Sequence, residues 1–283
     1  MGEEIRYCAF IDLLGYGSLV LDEVTTTQHK LKMLNSIYTS LATQFMLVIN
    51  DVNKQYENKI YIRSFSDSFY LDCAAAEPLL VAVKTVYDYV FGFYSNFLEI
   101  EERTPLLRCG IVKDWLIKFN DIGAMVSGTK ELNPIGPAVA RAYNTSEKSG
   151  LSGMRVIISP EVLEDLNLLQ VSITEFPCFC IEVSPYNIRM TYHFKHHGIN
   201  ENGQPINIYE MLWPITRLDS EPHDCIDTLT KIKTLYPTGC KAKRHFDQTV
   251  MLFIDSIRMV RSSYWDIENN SRHKQSLQKL LVD

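Results

Sequence analysis

RYCAFIDLLGYG at residues 6–17 and KIYIRSFSDSFYLDC at residues 59–73 decide how this chain folds. The first is an apolar run, Arg6 to Leu13, stopped by Gly15 and Gly17, and it reads as a buried strand turning tightly toward a helix. The second reads as two strands, Lys59 to Phe65 and Phe69 to Cys73, joined by the short polar residues Ser66, Asp67 and Ser68. Between them Leu31, Leu34, Ile37, Tyr38, Leu41, Phe45, Val48, Ile49 and Val52 recur at the helical period, which predicts a long helix from about 28 to 56. A second amphipathic helix from Pro78 to about Leu98 and a strand from Leu106 to Val112 complete the order βαββαβ. The fold class is therefore α+β and ferredoxin-like, with two helices on one face of an antiparallel sheet.

Further along, the pattern predicts a loop from Ile122 to Pro137, a short helix at Ala138 to Lys148, a strand at Arg155 to Ile158 and a helix capped by Ser159 and Pro160. Short strands follow at Val171–Thr174, Phe179–Val183, Met190–Phe194 and Ile206–Leu212, then helices near Cys225–Leu235 and Lys243–Tyr264. The tail after Ser271 is polar and is expected to fray. With 28 Lys and Arg against 34 Asp and Glu, the formal charge is −6, which leaves a nucleic-acid partner without its usual electrostatic source. The most apolar stretch, Leu79 to Phe97, is interrupted by Lys84 and Asp88, so no membrane partner is expected. An acidic N-terminus without a signal-peptide core and seven scattered cysteines without a CxxC pair fit a cytoplasmic chain with reduced, core-filling thiols.

Asp12 ends the first strand and Asp67 sits at the hairpin tip, so neighbouring strands would bring two carboxylates together. Each alone also reads as a turn residue. Together they suit two divalent cations clamping a polyphosphate, since hard cations take oxygen ligands and share carboxylates. The Gly15-Tyr16-Gly17 turn would add backbone N–H groups for phosphate oxygens.

FIDLLGYG, then SFSDSFY, LRCGIV and GPAVARAYNTSEKSG, in that order over residues 5–160, resemble the catalytic domain of class III nucleotide cyclases. The resemblance implies that Asp12 and Asp67, with the Leu13 backbone carbonyl, bind two metal ions. Where adenylate cyclases carry a base-reading lysine and its acidic partner, this chain has Arg63 and Asn133. Where the family has a ribose-orienting asparagine and a transition-state arginine, the register gives Ala140 and Asn144, with Arg141 the nearest arginine. This altered set, with GPAVARAY, is similar to the pyrimidine nucleotide cyclases of bacterial Pycsar anti-phage systems. That implies a homodimer with shared active sites, Mn2+ or else Mg2+ as the metal, UTP or CTP as substrate, and a separate effector that senses the cyclic nucleotide.

The expected division is a catalytic domain over 1–185 and a strand and helix extension over 186–283, packed on the same domain or on the dimer mate. Arginine only donates hydrogen bonds, so Arg63 directed at the ring's position 4 suits uracil O4 and opposes the cytosine amine, which favours UTP and cyclic UMP. Rival readings are a cytidylate cyclase, a purine cyclase, a nucleotide-binding module without turnover and an interaction protein on the same scaffold. His193, His196 and His197 read as a solvated cluster, without cysteine partners at metal-ligand spacing. Lys241 to Arg244 reads as a helix start with a basic face.

Overall fold

The structure, a computed structural model, describes residues 3–14, 26–65, 67–96, 106–120, 132–166, 178–183, 190–199, 205–234, 236, 243–257 and 267–282. Strand β1 (Glu4–Leu14) leads to helix α1 (Thr27–Gln55), the hairpin strands β2 (Tyr61–Phe65) and β3 (Ser68–Cys73), helix α2 (Ala76–Asn96) and strand β4 (Leu106–Asn120). β1 lies between β3 and β4, antiparallel to both, and β2 flanks β3. This is the predicted βαββαβ core.

Alternation along β1 sorts its residues onto two faces. Ala9, Ile11 and Leu13 join the main core with α1 and α2, where Phe45 stacks on Phe69 at 4.3 Å between ring centroids. Cys8 faces the opposite side, in a smaller cluster with Tyr70, Val112 and Leu116. That side is covered by helix α3 (Pro137–Glu147) through Ala138 and Ala142. Gly110 permits this packing: a Cβ there would lie 2.2 Å from the Ala142 carbonyl oxygen and 2.7 Å from the Ser146 nitrogen.

The sheet continues past β4. After β5 (Leu132–Ile135) and α3 comes β6 (Val156–Ile158), which pairs parallel with β4 and is followed by the short helix α4 (Pro160–Glu164). β7 (Cys178–Val183), β8 (Met190–Ile199) and β9 (Pro205–Met211) then extend the sheet in the order β2-β3-β1-β4-β6-β9-β8-β7. Helices α5 (Ile215–Ser220), α6 (Pro222–Thr234), α7 (Lys243–Ile257) and α8 (Ile267–Leu281) finish the chain. Trp213, fully buried, packs against Tyr87, Phe91 and Phe253 and donates its indole N–H to the Met154 carbonyl at 2.8 Å, fastening the later helices to the core.

Several local expectations change. Residues 132–135 form a strand on the far end of β4 instead of ending a loop, and β4 runs 15 residues rather than stopping at Val112. The polar tail is helical to Leu281, because His273, Leu277 and Leu280, spaced four and three apart, bury one face of α8. Residues 171–174, 122–131 and 258–264, which the sequence assigned to a strand, a loop and a helix end, lie outside the described residues. No helix among the described residues is long and apolar enough to cross a membrane. Cys8, Cys73, Cys109 and Cys225 are buried free thiols, and burial pushes Cys8 up to about 12.

Candidate active site

β1, β3 and β4 end together at one edge of the sheet, and the register there sets the site. Asp12 lies opposite Ser68 on β3 and opposite Arg108 on β4. Asp67 is half-buried in the tight turn just before Ser68, and its carbonyl accepts from the Leu13 N–H at 3.3 Å. The two aspartates thus occupy adjoining positions on neighbouring strands. Ser68 Oγ donates to Asp12 Oδ1 at 3.0 Å, and Arg108 Nη2 donates to Asp12 Oδ2 at 2.9 Å. Arg108 also contacts Glu147, the last residue of α3.

Arg63 belongs to the same face, because Phe65 opposes Ser68 and Arg63 opposes Tyr70, which in turn opposes Phe10. Its Nη1 donates to the neighbouring Ile62 carbonyl at 2.8 Å. The outer side of α3 has a groove of about 250 Å3 lined by Arg141, Asn144, Thr145, Lys148, Ser149 and Ile208. Arg141 is already engaged, by Asp114 and by Glu161, each at 2.8 Å. Asp114 stands six residues beyond Arg108 on β4, so the Arg141 guanidinium is held well along β4 from the end that carries Asp12. Asn133 lies in β5 opposite Phe119, again along the far part of β4. The structure therefore groups Asp12, Leu13, Asp67 and Arg63, holds the Arg141 guanidinium and Asn133 along the far part of β4, and puts Asn144 one helical turn before Glu147. Gly15, Tyr16 and Gly17 lie outside the described residues.

Arg108, Glu147 and His245 were missed by sequence reading. An arginine inside the apolar strand LLRCGIV signals a buried charge that requires a partner, and that signal was available. His245 comes from the first turn of α7, which packs against the residues before β6: a Cβ on Gly153, whose φ is +87°, would lie 2.5 Å from the His245 carbonyl. Burial pushes the His245 imidazole below its ordinary value, and the nearby Arg108 and Arg244 guanidiniums add to that. The expected solvated histidine cluster is corrected in part: His197 is largely buried and its Nε2 lies 2.8 Å from Glu210 Oε2, while the His196 ring packs on Tyr209.

Among the described residues no three His, Cys, Asp or Glu side chains converge into a metal cage. Two carboxylates and a backbone carbonyl are hard oxygen donors, and they fit an ion of the Mg2+ or Mn2+ kind that completes its shell with water and substrate phosphates.

No family model and no curated protein matches this sequence. Solved structures similar in fold include the guanylate cyclase domain of RhGC from Catenaria anguillulae in complex with GTP, at 11% identity and TM-score 0.47 over 75% of this chain and 98% of that one. Others are the guanylyl cyclase Cya2 (14%, 0.47, 75% and 93%) and the adenylyl cyclase CyaB from P. aeruginosa (14%, 0.45, 75% and 96%). At these values the likeness concerns the course of the backbone, and the chemistry has to be argued from the residues.

Proposed function

We propose that this chain is a class III-type nucleotide cyclase acting on a pyrimidine, converting UTP to 3′,5′-cyclic UMP and pyrophosphate. The observation that carries the reading is the placement of Asp12 and Asp67 on adjoining strand ends with the Arg108 guanidinium against Asp12. In this reading Asp12 and Asp67, with the Leu13 carbonyl, hold two divalent cations, Mn2+ or Mg2+. Bound there, such cations lower the pKa of the ribose 3′-hydroxyl and neutralise charge on the departing pyrophosphate. Asp12 and Asp67 would fix where such cations sit and, through them, where the triphosphate is held relative to the 3′-oxygen. Arg108 adds positive charge beside the phosphate oxygens. Arg63, on the same face, meets the base. The wider setting implied by the resemblance is bacterial antiviral defence, with cyclic UMP acting on a separate effector.

The test is to incubate the protein with each of the four nucleoside triphosphates and Mn2+ and identify products by mass. Cyclic UMP should dominate, and no cyclic product from any of the four overturns the reading. A donor facing the cytosine amine leaves a buried group unpaired, at about 1–3 kcal/mol, so UTP should be preferred by roughly ten- to a hundredfold. Arg63→Ala should lose that preference in UTP-against-CTP competition. Preference for CTP, or a slower variant with unchanged selectivity, overturns the base assignment.

Arg141 is held by Asp114 and Glu161 rather than turned toward its own chain's Asp12, so in this reading it completes the site of a second copy. Mixing Asp12→Ala subunits with Arg141→Ala subunits should then restore part of the activity that neither has alone. No rescue at matched concentrations, or a monomer by light scattering, overturns shared sites.

A further inference from the structure

Arg108 is unevenly held. The residue is only 8% exposed, yet its Nη2 donates to both Asp12 and Glu147, and its buried Nε has no partner among the described residues. A guanidinium presents its donors as a planar fork that matches a single carboxylate with two parallel bonds. The same three residues therefore support a second arrangement, in which Nε and Nη2 together grip Glu147 and Asp12 is released.

We propose that Glu147 is a positioning residue that receives Arg108 when Asp12 takes a divalent cation, so that guanidinium and cation exchange on one carboxylate. The inference rests on the proposed metal role of Asp12. Arg108 cannot remain against Asp12 beside a second positive charge, and without Glu147 it would become a buried, unpaired cation, a strongly unfavourable state. Glu147 thus favours metal loading without being a ligand. It also links loading to α3, because Glu147 is the final residue of that helix and the helix body is seated on Gly110.

Mn2+ binding is measured by electron paramagnetic resonance of the free ion, on the full chain without nucleotide, with folding checked by circular dichroism. Glu147→Gln should weaken Mn2+ binding by about tenfold or more, the usual range for an outer partner of a metal ligand. Arg108→Gln should tighten it. The deciding comparison is Glu147→Gln in the Arg108→Gln background, where no further weakening is expected because nothing remains to be received. Equal weakening in both backgrounds would show Glu147 acting as a bulk negative charge and would overturn the proposal. Arg108→Lys, which keeps a cation at the position, should preserve the Glu147→Gln effect and serves if Arg108→Gln does not fold. Asp12→Ala is the control for the underlying reading: unchanged Mn2+ binding there overturns the metal assignment and this inference with it. Lost binding in Asp12→Ala with no effect of Glu147→Gln overturns this inference alone.

Discussion

Asp12→Ala and Asp67→Ala should each abolish cyclic-nucleotide formation while leaving a folded chain. Either substitution removes one of the two carboxylates at the sheet edge, so polyphosphate charge is no longer offset where the bond forms and breaks. The fold should survive. Arg108, which loses Asp12 as a partner, keeps Glu147, and Asp67 is only half-buried in a turn. Retention of more than about a tenth of wild-type kcat/KM, a barrier change under ~1.4 kcal/mol, overturns the assignment. Circular dichroism melting separates loss of chemistry from loss of structure.

Glu210→Ala should have the largest effect on stability. Arg155 is 3% exposed and Glu210 fully buried, and Arg155 Nη1 donates to both carboxylate oxygens at 2.5 and 2.6 Å. Gln248 and His197 complete the network. Alanine at 210 leaves a buried guanidinium without its counter-charge, which costs about 3–5 kcal/mol, or roughly 6–20 °C in Tm for a chain of this size. Glu210→Gln, which keeps two polar atoms in place, should lose less.

The pair also has an acid signature. Burial pushes the Glu210 carboxyl up, but the Arg155 guanidinium and then His197 outweigh it and hold it below the usual carboxylate range. A carboxylate lowered in the folded state stabilises above its unfolded value and loses that contribution as pH falls through the folded one. Wild-type Tm should therefore drop more steeply than that of Glu210→Gln below about pH 4.5. Parallel curves would show that the charge on Glu210 does not support the fold.

The βαββαβ core was legible because its signals are local: period-3.6 stripes in α1 and α2, an apolar β1, and a polar turn between β2 and β3. β5 was hidden by Pro134, a residue that argues against a strand unless it lies at an edge. The far half of β4 was hidden by Lys113, Asp114 and Lys118, which look like the end of a strand. In the fold they are ion-pair partners, Lys113 of Asp165, Asp114 of Arg141 and Lys118 of Asp72. Asp12 and Asp67 were legible as a pair because strand order alone makes them neighbours. Glu147 was not, since its link to Arg108 spans 39 residues and depends on how α3 lies across β4. The pairing of β6 with β9 likewise has no local signal.

That pairing bears on how the protein is made. β6 is flanked by β4 and β9, and β9 ends at Met211, some fifty residues after β6 has left the ribosome. Until then a nascent chain holds the βαββαβ core with one strand edge open, and Arg155 without Glu210. α7, which carries His245, arrives later still. A product shortened before β9 would therefore present β6 unpaired and Arg155 without Glu210, with α7 missing from beside the strand end that carries Asp12.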